Sequence, residues 1–525
     1  MTSKITNCKQ LFKNINQDIA WSIFLLLSAL ILYLIGLGDL PLRDWDEGYY
    51  GTVAKDIYKS GNWLYMTYHN EPFLLKPPLI IWLINMSYLI GGISEFTTRF
   101  PCAFLTACGV PLLYLIGRAI FPSRLPAIFS TLVYLTLLPM VRHGRLAMLD
   151  GSINTFFIFS IFCLLQSFYQ KFWIIGVGIG LGLIAMTKGI LVIALGGILG
   201  VFCIFNKSLK ILKDPLFWGG FILGFSPVIL WYSLQIIEYG EKFIKVHFLQ
   251  QNLDRLSTAV EGNKGSVWYY VIELVKYSFP WLLFLPGGLI LAIKKYQQSW
   301  AKLVLVGFIL FIGIISLMST KLPWYIMPVY PFFSLAVGAY LAEIVQNNYQ
   351  FYPKILGILL LISSIVSLGV GVYFSIKNND FQLLTLSILI GITFALSYVN
   401  FLQKNYYFIF TLFVGLYFSL GTFVMSDLWI WELNESFPVK PVATLIRENT
   451  PPNTVVYTSY TYSRTSLDFY SDRQVIAQNI EELKKLAAIS FYFLLDPLTL
   501  KDLNLNNYKI LGNTQDFILI KNSRQ

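Results

Sequence analysis

PPLIIWLINMSYLIGG, residues Pro77 to Gly92, decides how the rest of this chain is threaded. It is apolar but shorter than the ~20 residues that cross a hydrocarbon core. Two prolines open it, which suits a helix start. It reads either as a span or as a helix lying at the membrane interface. Working outward, apolar runs of membrane-crossing length recur from Ala20 to about Val424. The chain of 525 residues is 56% hydrophobic and only 13% charged, with a mean hydropathy of +0.62. Soluble domains carry about 25% charge, so a soluble globular class is excluded. Aromatics at 17% suit many interfacial crossings, where Trp and Tyr concentrate.

Parity settles the reading of Pro77–Gly92. Lys4, Lys9 and Lys13 precede the first run, Ala20–Gly38, which reads as a retained span with a cytoplasmic N-terminus rather than a signal peptide. If Pro77–Gly92 does not cross, twelve spans follow: 99–120, 124–141, 150–169, 172–187, 189–206, 216–236, 274–293, 301–319, 323–344, 354–376, 380–401 and 405–424. The inner loops then hold Arg118 and Arg124, Lys171, Lys207 with Lys210 and Lys213, Lys294 with Lys295, Lys354, and Lys404. These loops are short and basic, as cytoplasmic loops are. Were Pro77–Gly92 to cross, the clusters would face outward.

The expected architecture is therefore an α-helical polytopic membrane protein of about 13 spans, residues 1–429, with outer loops near 39–98, 142–150 and 237–273. Residues 430–525 form a small extracytoplasmic α/β domain. Its strands are expected at 455–457, 474–477, 490–495, 508–511 and 517–521, and a helix at 480–486 with Glu481-Glu482 in its first turn and Lys484-Lys485 in its last. The net charge of +11 does not point to nucleic acid, because the Lys and Arg border apolar runs rather than forming one soluble face. Of the five cysteines, all but Cys8 lie in apolar runs, and neither they nor His69, His143 and His247 have metal-ligand spacing.

The outer loops mix acids, bases and aromatics, which marks a site rather than an orientation signal. Asp44, Asp46 and Glu47 follow the first span closely, beside Arg43, Tyr49 and Tyr50. A carboxylate there can accept the proton of an attacking hydroxyl, or Asp46 can simply cap a helix over 48–59. Lys76, just before the proline pair, is either a snorkelling Lys or a fixed cation for a lipid phosphate. Arg145 and Asp150 share the next outer loop, and Asp150 is a second carboxylate on that face. Arg255, in the loop 238–265, is chosen because guanidinium grips phosphate bidentately. Lys188 and Lys321 each read as a snorkelling Lys or a functional cation.

These residues fall into an ordered series. Arg43-Asp44-Trp45-Asp46-Glu47-Gly48-Tyr49-Tyr50-Gly51, Ser60–Leu64, Lys76-Pro77-Pro78-Leu79, Glu95–Pro101, Arg145–Asp150, Thr187-Lys188-Gly189, Asn252–Leu256 and Lys321–Pro331 resemble the GT-C glycosyltransferases. The likeness is to the lipid A aminoarabinose transferase and protein O-mannosyltransferase family. It covers about 1–345 well and the remainder in outline.

The resemblance implies a bacterial inner-membrane enzyme that moves a sugar from a polyprenyl phosphate to a hydroxyl of a lipid, glycan or protein on the outer face, by single displacement. It implies that Asp46 is the base, Asp150 the second-loop acid and Lys76 the contact to the lipid phosphate; the residues themselves add Glu47 as a catalytic candidate and Arg255, Arg145, Lys321 and Tyr49 as donor or phosphate contacts. No cofactor is expected, and no metal. Relatives often carry a polar or acidic residue before the Lys-Pro-Pro and a His before the aromatic pair, positions held here by Leu75 and Asn263. The rival reading is a flippase or transporter of a lipid-linked sugar. That would need ionisable groups within the spans, and apart from Lys188 at an end they are nearly free of them.

Overall fold

A computed structural model describes residues 2–254, 262–346, 354–429, 438–487, 492–505, 507–514 and 516–522. The chain divides into two compact units. The first comprises Met1–Leu37, Leu74–Leu79 and Cys102–Trp429, and the second Gly38–Phe73, Ile80–Pro101 and Ile430–Gln525.

Among the described residues ten helices are long and apolar enough to cross a membrane, from Ile15–Leu34 to Tyr407–Val424. Two further pairs qualify only together. Arg124–Leu135 and Leu138–Arg145 are bent by 57°, and Tyr269–Tyr277 and Trp281–Lys294 by 112°. At the first bend Leu137 is extended and Pro139 opens the new helix, where its missing N–H costs nothing. Counting each pair once gives twelve. The expected total of thirteen requires Leu191–Phe205 as well, which has only 15 residues. Leu79–Gly91 is shorter still, at 13 residues.

The first unit sorts its loops to two ends. Tyr417 Oη donates to Ser28 O at 2.9 Å, and the Arg145 guanidinium donates to Leu32 O at 2.8 Å and Val424 O at 3.4 Å. The first and last apolar helices therefore run parallel, with their C-terminal ends together. At the opposite end Asp18 accepts from Tyr114, Arg118 and Arg124 at 2.7, 3.0 and 2.9 Å. Ser123 beside it meets Gln346, Lys295 meets Glu343 at 2.8 Å, and Ser299 meets Asn206 at 2.9 Å. The inner loops of Arg118 and Arg124, of Lys207, and of Lys295 are thus brought together.

Helices Ile174–Lys188 and Pro215–Phe243 pack backbone to backbone. A Cβ on Gly178 would lie 2.2 Å from Gly220 C, and one on Gly182 would lie 2.1 Å from Gly224 O. Glycines four apart on both helices give the close crossing typical of membrane helix pairs.

In the second unit, strands β1 (Thr67–Tyr68) and β2 (Glu71–Pro72) form a hairpin. His69 and Asn70, with φ of 51° and 68°, supply the left-handed pair that such tight turns need. Strands β3 (Val455–Thr458), β4 (Gln474–Ala477), β5 (Tyr492–Leu495), β6 (Tyr508–Thr514) and β7 (Phe517–Asn522) make one sheet of order β4-β3-β5-β7-β6. Strand β3 is parallel to β4 and β5, while β7 is antiparallel to β5 and β6. Alternation along β5 sends Leu494 to a core with Val442 and Ile446, and Phe493 and Leu495 to another with Leu483 and Leu500. Both faces of the sheet are therefore covered. The helix Ile480–Leu486 and strands β3, β4 and β7 fall where the sequence places them, and β6 runs on to Thr514; residues 490–491, the expected start of β5, lie outside the described residues.

Candidate functional site

In the first unit two lysines and an aspartate line a cavity of about 310 Å³. Asp150 stands in the first turn of Leu149–Ser167, where a carboxylate complements the helix dipole. Lys188 ends Ile174–Lys188, just before Gly189 turns the chain at φ 51°. Their side chains meet, Nζ to Oδ1, at 2.7 Å, with side-chain exposures of 19% and 7%. The same ammonium lies 4.4 Å from the centre of the Tyr325 ring. Lys76 Nζ donates to Gln251 Oε1 at 2.9 Å. His247 is fixed between Tyr232 Oη at 2.9 Å and Leu74 O at 3.0 Å. Lys76, Asp150, Lys188, His247, Gln251 and Tyr325 all line the cavity, and its remaining wall is largely aliphatic, including Ile193, Ile314 and Ile315. Two ammonium groups, a carboxylate and an apolar wall suit a ligand with an anionic head and a hydrocarbon body.

Two other expected cations, Arg145 and Lys321, do not line this cavity. Arg145 is fully buried. Besides its bonds to Leu32 and Val424 it stacks over the Trp429 ring at 4.9 Å. It ties helix ends together. Lys321 Nζ donates to Ile315 O at 3.0 Å and Ser316 O at 2.7 Å, and so caps the helix Ser299–Leu317, a favourable place for a cation. Arg255 lies outside the described residues. Leu75 lines the cavity beside Lys76, and Asn263 offers its backbone carbonyl to Lys321 N at 2.9 Å. Neither position supplies a carboxylate or an imidazole, so these two do not fit a divalent ion.

The second unit holds the acidic motif, and its three carboxylates differ sharply. Trp45 adopts φ 68°, an uncommon conformation for a bulky residue. It is held there by stacking on Tyr462 at 5.4 Å and by Thr465 Oγ1 donating to its carbonyl at 2.9 Å. This turn sends its two neighbours different ways. Asp44 is buried, bonded to Arg464 at 2.6 Å and to both the backbone N–H and the hydroxyl of Ser466. Glu47 is buried and takes a bidentate grip from Arg99, Nε to Oε1 and Nη2 to Oε2, both 2.9 Å. It also accepts from Arg43 N at 3.0 Å. Burial pushes the Glu47 carboxyl up, but Arg99 and the Arg43 N–H outweigh it and hold it below the usual range.

Asp46 opens the helix Asp46–Ser60, is half-buried, and among the described residues has neither a hydrogen bond nor an ion pair. It does not cap that helix; no side-chain cap bond is made. Tyr49 stacks on Tyr68 at 4.3 Å, and burial, with Asp468 nearby, pushes its hydroxyl up to about 12.

Sequence reasoning selected Asp150 and Lys76 but not their partners. Lys188 carried a signal, a lone charge between apolar runs. Gln251 and Tyr325 carried none beyond their loops. Arg99 and Arg464 were missed as partners of Glu47 and Asp44, because pairs separated by 52 and 420 positions leave no local trace.

A family model described as dolichyl-phosphate-mannose-protein mannosyltransferase matches residues 21–220. A protein of Aquifex aeolicus named only as uncharacterized is 25% identical over 89% of this chain and 90% of its own. An undecaprenyl phosphate-alpha-4-amino-4-deoxy-L-arabinose arabinosyl transferase of Yersinia pestis is 26% identical over 64% of this chain. The match spans 62% of that enzyme's length. The crystal structure of ArnT from Cupriavidus metallidurans bound to undecaprenyl phosphate shares the fold, with a TM-score of 0.78 over 96% of this chain and 98% of that one, at 18% identity.

Proposed function

We propose that this chain, similar to the aminoarabinose transferases and protein O-mannosyltransferases of the GT-C superfamily, transfers a sugar from a polyprenyl phosphate to an acceptor hydroxyl. The observation that carries the reading is the cavity of the first unit, where Lys76 and the Lys188–Asp150 pair meet an aliphatic wall. A polyprenyl phosphate has that division of charge and hydrocarbon.

The donor's phosphate is the leaving group and departs already anionic, so it needs no general acid. What it needs is fixed positive charge as its own charge grows, usually the largest catalytic term. Lys76 is assigned that role, with Lys188 beside it and Arg255 as a further candidate. Asp150 positions Lys188. Asp46 is assigned as the base that takes the proton from the acceptor hydroxyl as that oxygen attacks the anomeric carbon. The support is its freedom: Asp44 and Glu47 have their oxygens committed to Arg464, Ser466 and Arg99, and Asp46 does not. Glu47 acts by holding the motif in shape.

The end of the first unit that carries Asp150, Lys188 and Arg145 is assigned to the outer face of a bacterial inner membrane. The basic end around Asp18, Arg118 and Arg124 is assigned to the cytoplasm. The test is to incubate membranes containing the protein with labelled polyprenyl-phosphate sugars and follow the label. Transfer to a hydroxyl-bearing acceptor supports the reading. Label that only changes leaflet, with no acceptor labelled, would point to a flippase instead.

A further inference from the structure

Asp46 makes no bond of its own among the described residues, so its place is set by its neighbours in the chain. Both flanks are pinned within the second unit. Downstream, Arg99 grips Glu47. Upstream, the anchors come from residues 462–466, some 420 positions away, where the chain leaves β3 and enters the helix Thr465–Ser471. Arg464 Nη1 donates to Asp44 Oδ2 at 2.6 Å. Ser466 donates to Asp44 Oδ1 through its backbone N–H at 3.2 Å and through its hydroxyl. Thr465 Oγ1 donates to the Trp45 carbonyl, and Tyr462 stacks on the Trp45 ring. A bulky residue at φ 68° is strained and persists only where its surroundings over-determine it. Residues 462–466 supply those surroundings.

Arg464 is itself held in one direction. Its guanidinium carbon lies 5.2 Å from the centre of the Tyr460 ring and 4.9 Å from that of Tyr462. With side-chain exposures of 11% and 4%, the Arg464–Asp44 pair is largely shielded from solvent, where breaking a pair is felt strongly. The sheet topology places this contact. Strand β3 lies between β4 and β5, both parallel to it, so the direction in which strands are added reverses beside β3. In open α/β sheets the crevice beyond the carboxyl ends of the strands at such a point takes a ligand. Here the segment that leaves β3 takes the acidic motif of its own chain.

We propose that residues 462–466 of the C-terminal domain are a clamp that sets the backbone around Asp46, with Arg464 a positioning residue for the base. The clamp stands on geometry alone; its catalytic consequence rests on the transferase reading.

The test compares Arg464→Gln, Arg464→Lys and Asp44→Asn in the full chain in nanodiscs. Leu483→Ala is the control, because Leu483 packs in a different core of the domain from Leu467 of the clamp's helix. Without substrate, amide hydrogen exchange is read at Gly48 and Tyr49, whose N–H groups donate to Arg43 O and Trp45 O, both at 3.0 Å. Arg464→Gln and Asp44→Asn should each speed exchange there about tenfold, as local opening becomes easier, and Leu483→Ala should not. In transfer assays below each variant's melting temperature, Arg464→Gln should lower kcat about 10–100-fold with donor KM unchanged, the scale of a reacting group misplaced by about 1 Å. Arg464→Lys should recover part of that loss, because it keeps the charge but not the planar fork. Arg464→Gln combined with Asp44→Asn should lose little more than either alone. Unchanged exchange at Gly48 and Tyr49 in Arg464→Gln would overturn the clamp. A normal kcat in that variant, or a loss that Leu483→Ala matches, would overturn the positioning role. A parent chain that transfers no sugar from any polyprenyl phosphate would remove the transferase reading, while faster exchange in Arg464→Gln would still establish the clamp.

Discussion

Lys188 Nζ lies 2.7 Å from Asp150 Oδ1, joining the last residue of one helix to the first turn of another across 38 positions of sequence. Each charge would be costly alone at that depth, and together they fix the rim of the first unit's cavity. Breaking a buried pair by removing one partner costs about 3–5 kcal/mol, whereas replacing both by apolar groups costs far less. Lys188→Met should therefore lower the melting temperature clearly, and Lys188→Met combined with Asp150→Leu should recover much of the loss. Neither variant should transfer sugar. A double-mutant cycle read by thermal melting checks the coupling, and additive losses would show that the pair is not coupled.

Lys76 donates to a neutral partner, Gln251, so its charge is not cancelled by that bond. Lys76→Met should weaken binding of polyprenyl phosphate by about 10–100-fold, the scale of one hydrogen bond to a charged group. It should change the binding of an uncharged polyprenol little. Titration of both lipids in nanodiscs measures the difference.

Glu47 gives the second unit an acid-sensitive element. Its folded-state pKa is depressed, with Arg99 the main favourable cause. A depressed carboxylate contributes stability that is fully present above the unfolded value, here 4.5. That stability is lost as pH falls below 4.5 toward the folded value. Melting temperature measured from pH 7 down to pH 3.5 should fall in that window. In Glu47→Gln it should start lower and fall less.

Gly48 lies under the backbone of Thr465 and Ser466, and an added Cβ would come within 2.6 Å of Ser466 N and Thr465 C. Gly48→Ala should cost about 1–3 kcal/mol by overpacking. Gly421→Ala, where nothing lies within 4 Å, serves as the control and should be neutral or mildly stabilising.

The features legible in the sequence are those with local or periodic signatures. Apolar runs marked most of the crossing helices, and the asymmetry of Arg118, Arg124 and Lys295 against the acidic loops sorted the two ends. Alternation and turn residues located the strands near Val455, Gln474 and Phe517. The bends at Thr136–Leu137 and Ser278–Pro280 were less visible, because a broken apolar run has the same composition as a straight one. In the acidic motif, sequence alone treats Asp44, Asp46 and Glu47 alike. What separates them is Arg464, Ser466 and Arg99, side chains delivered by distant segments. Arg145 and Lys321 illustrate the reverse case. Both suited phosphate by residue type, yet both meet helix carbonyls, and only the fold reveals that those helix ends are within reach.

Asp46 carries the central claim, and its substitution by Asn tests it most directly. The change keeps shape and removes the base, on a residue that supports no described hydrogen bond. In a transfer assay with labelled polyprenyl-phosphate sugar, Asp46→Asn should lower turnover about 10²–10⁴-fold, the usual worth of a positioned base, with donor affinity and melting temperature unchanged. Turnover near that of the parent protein would contradict the assignment.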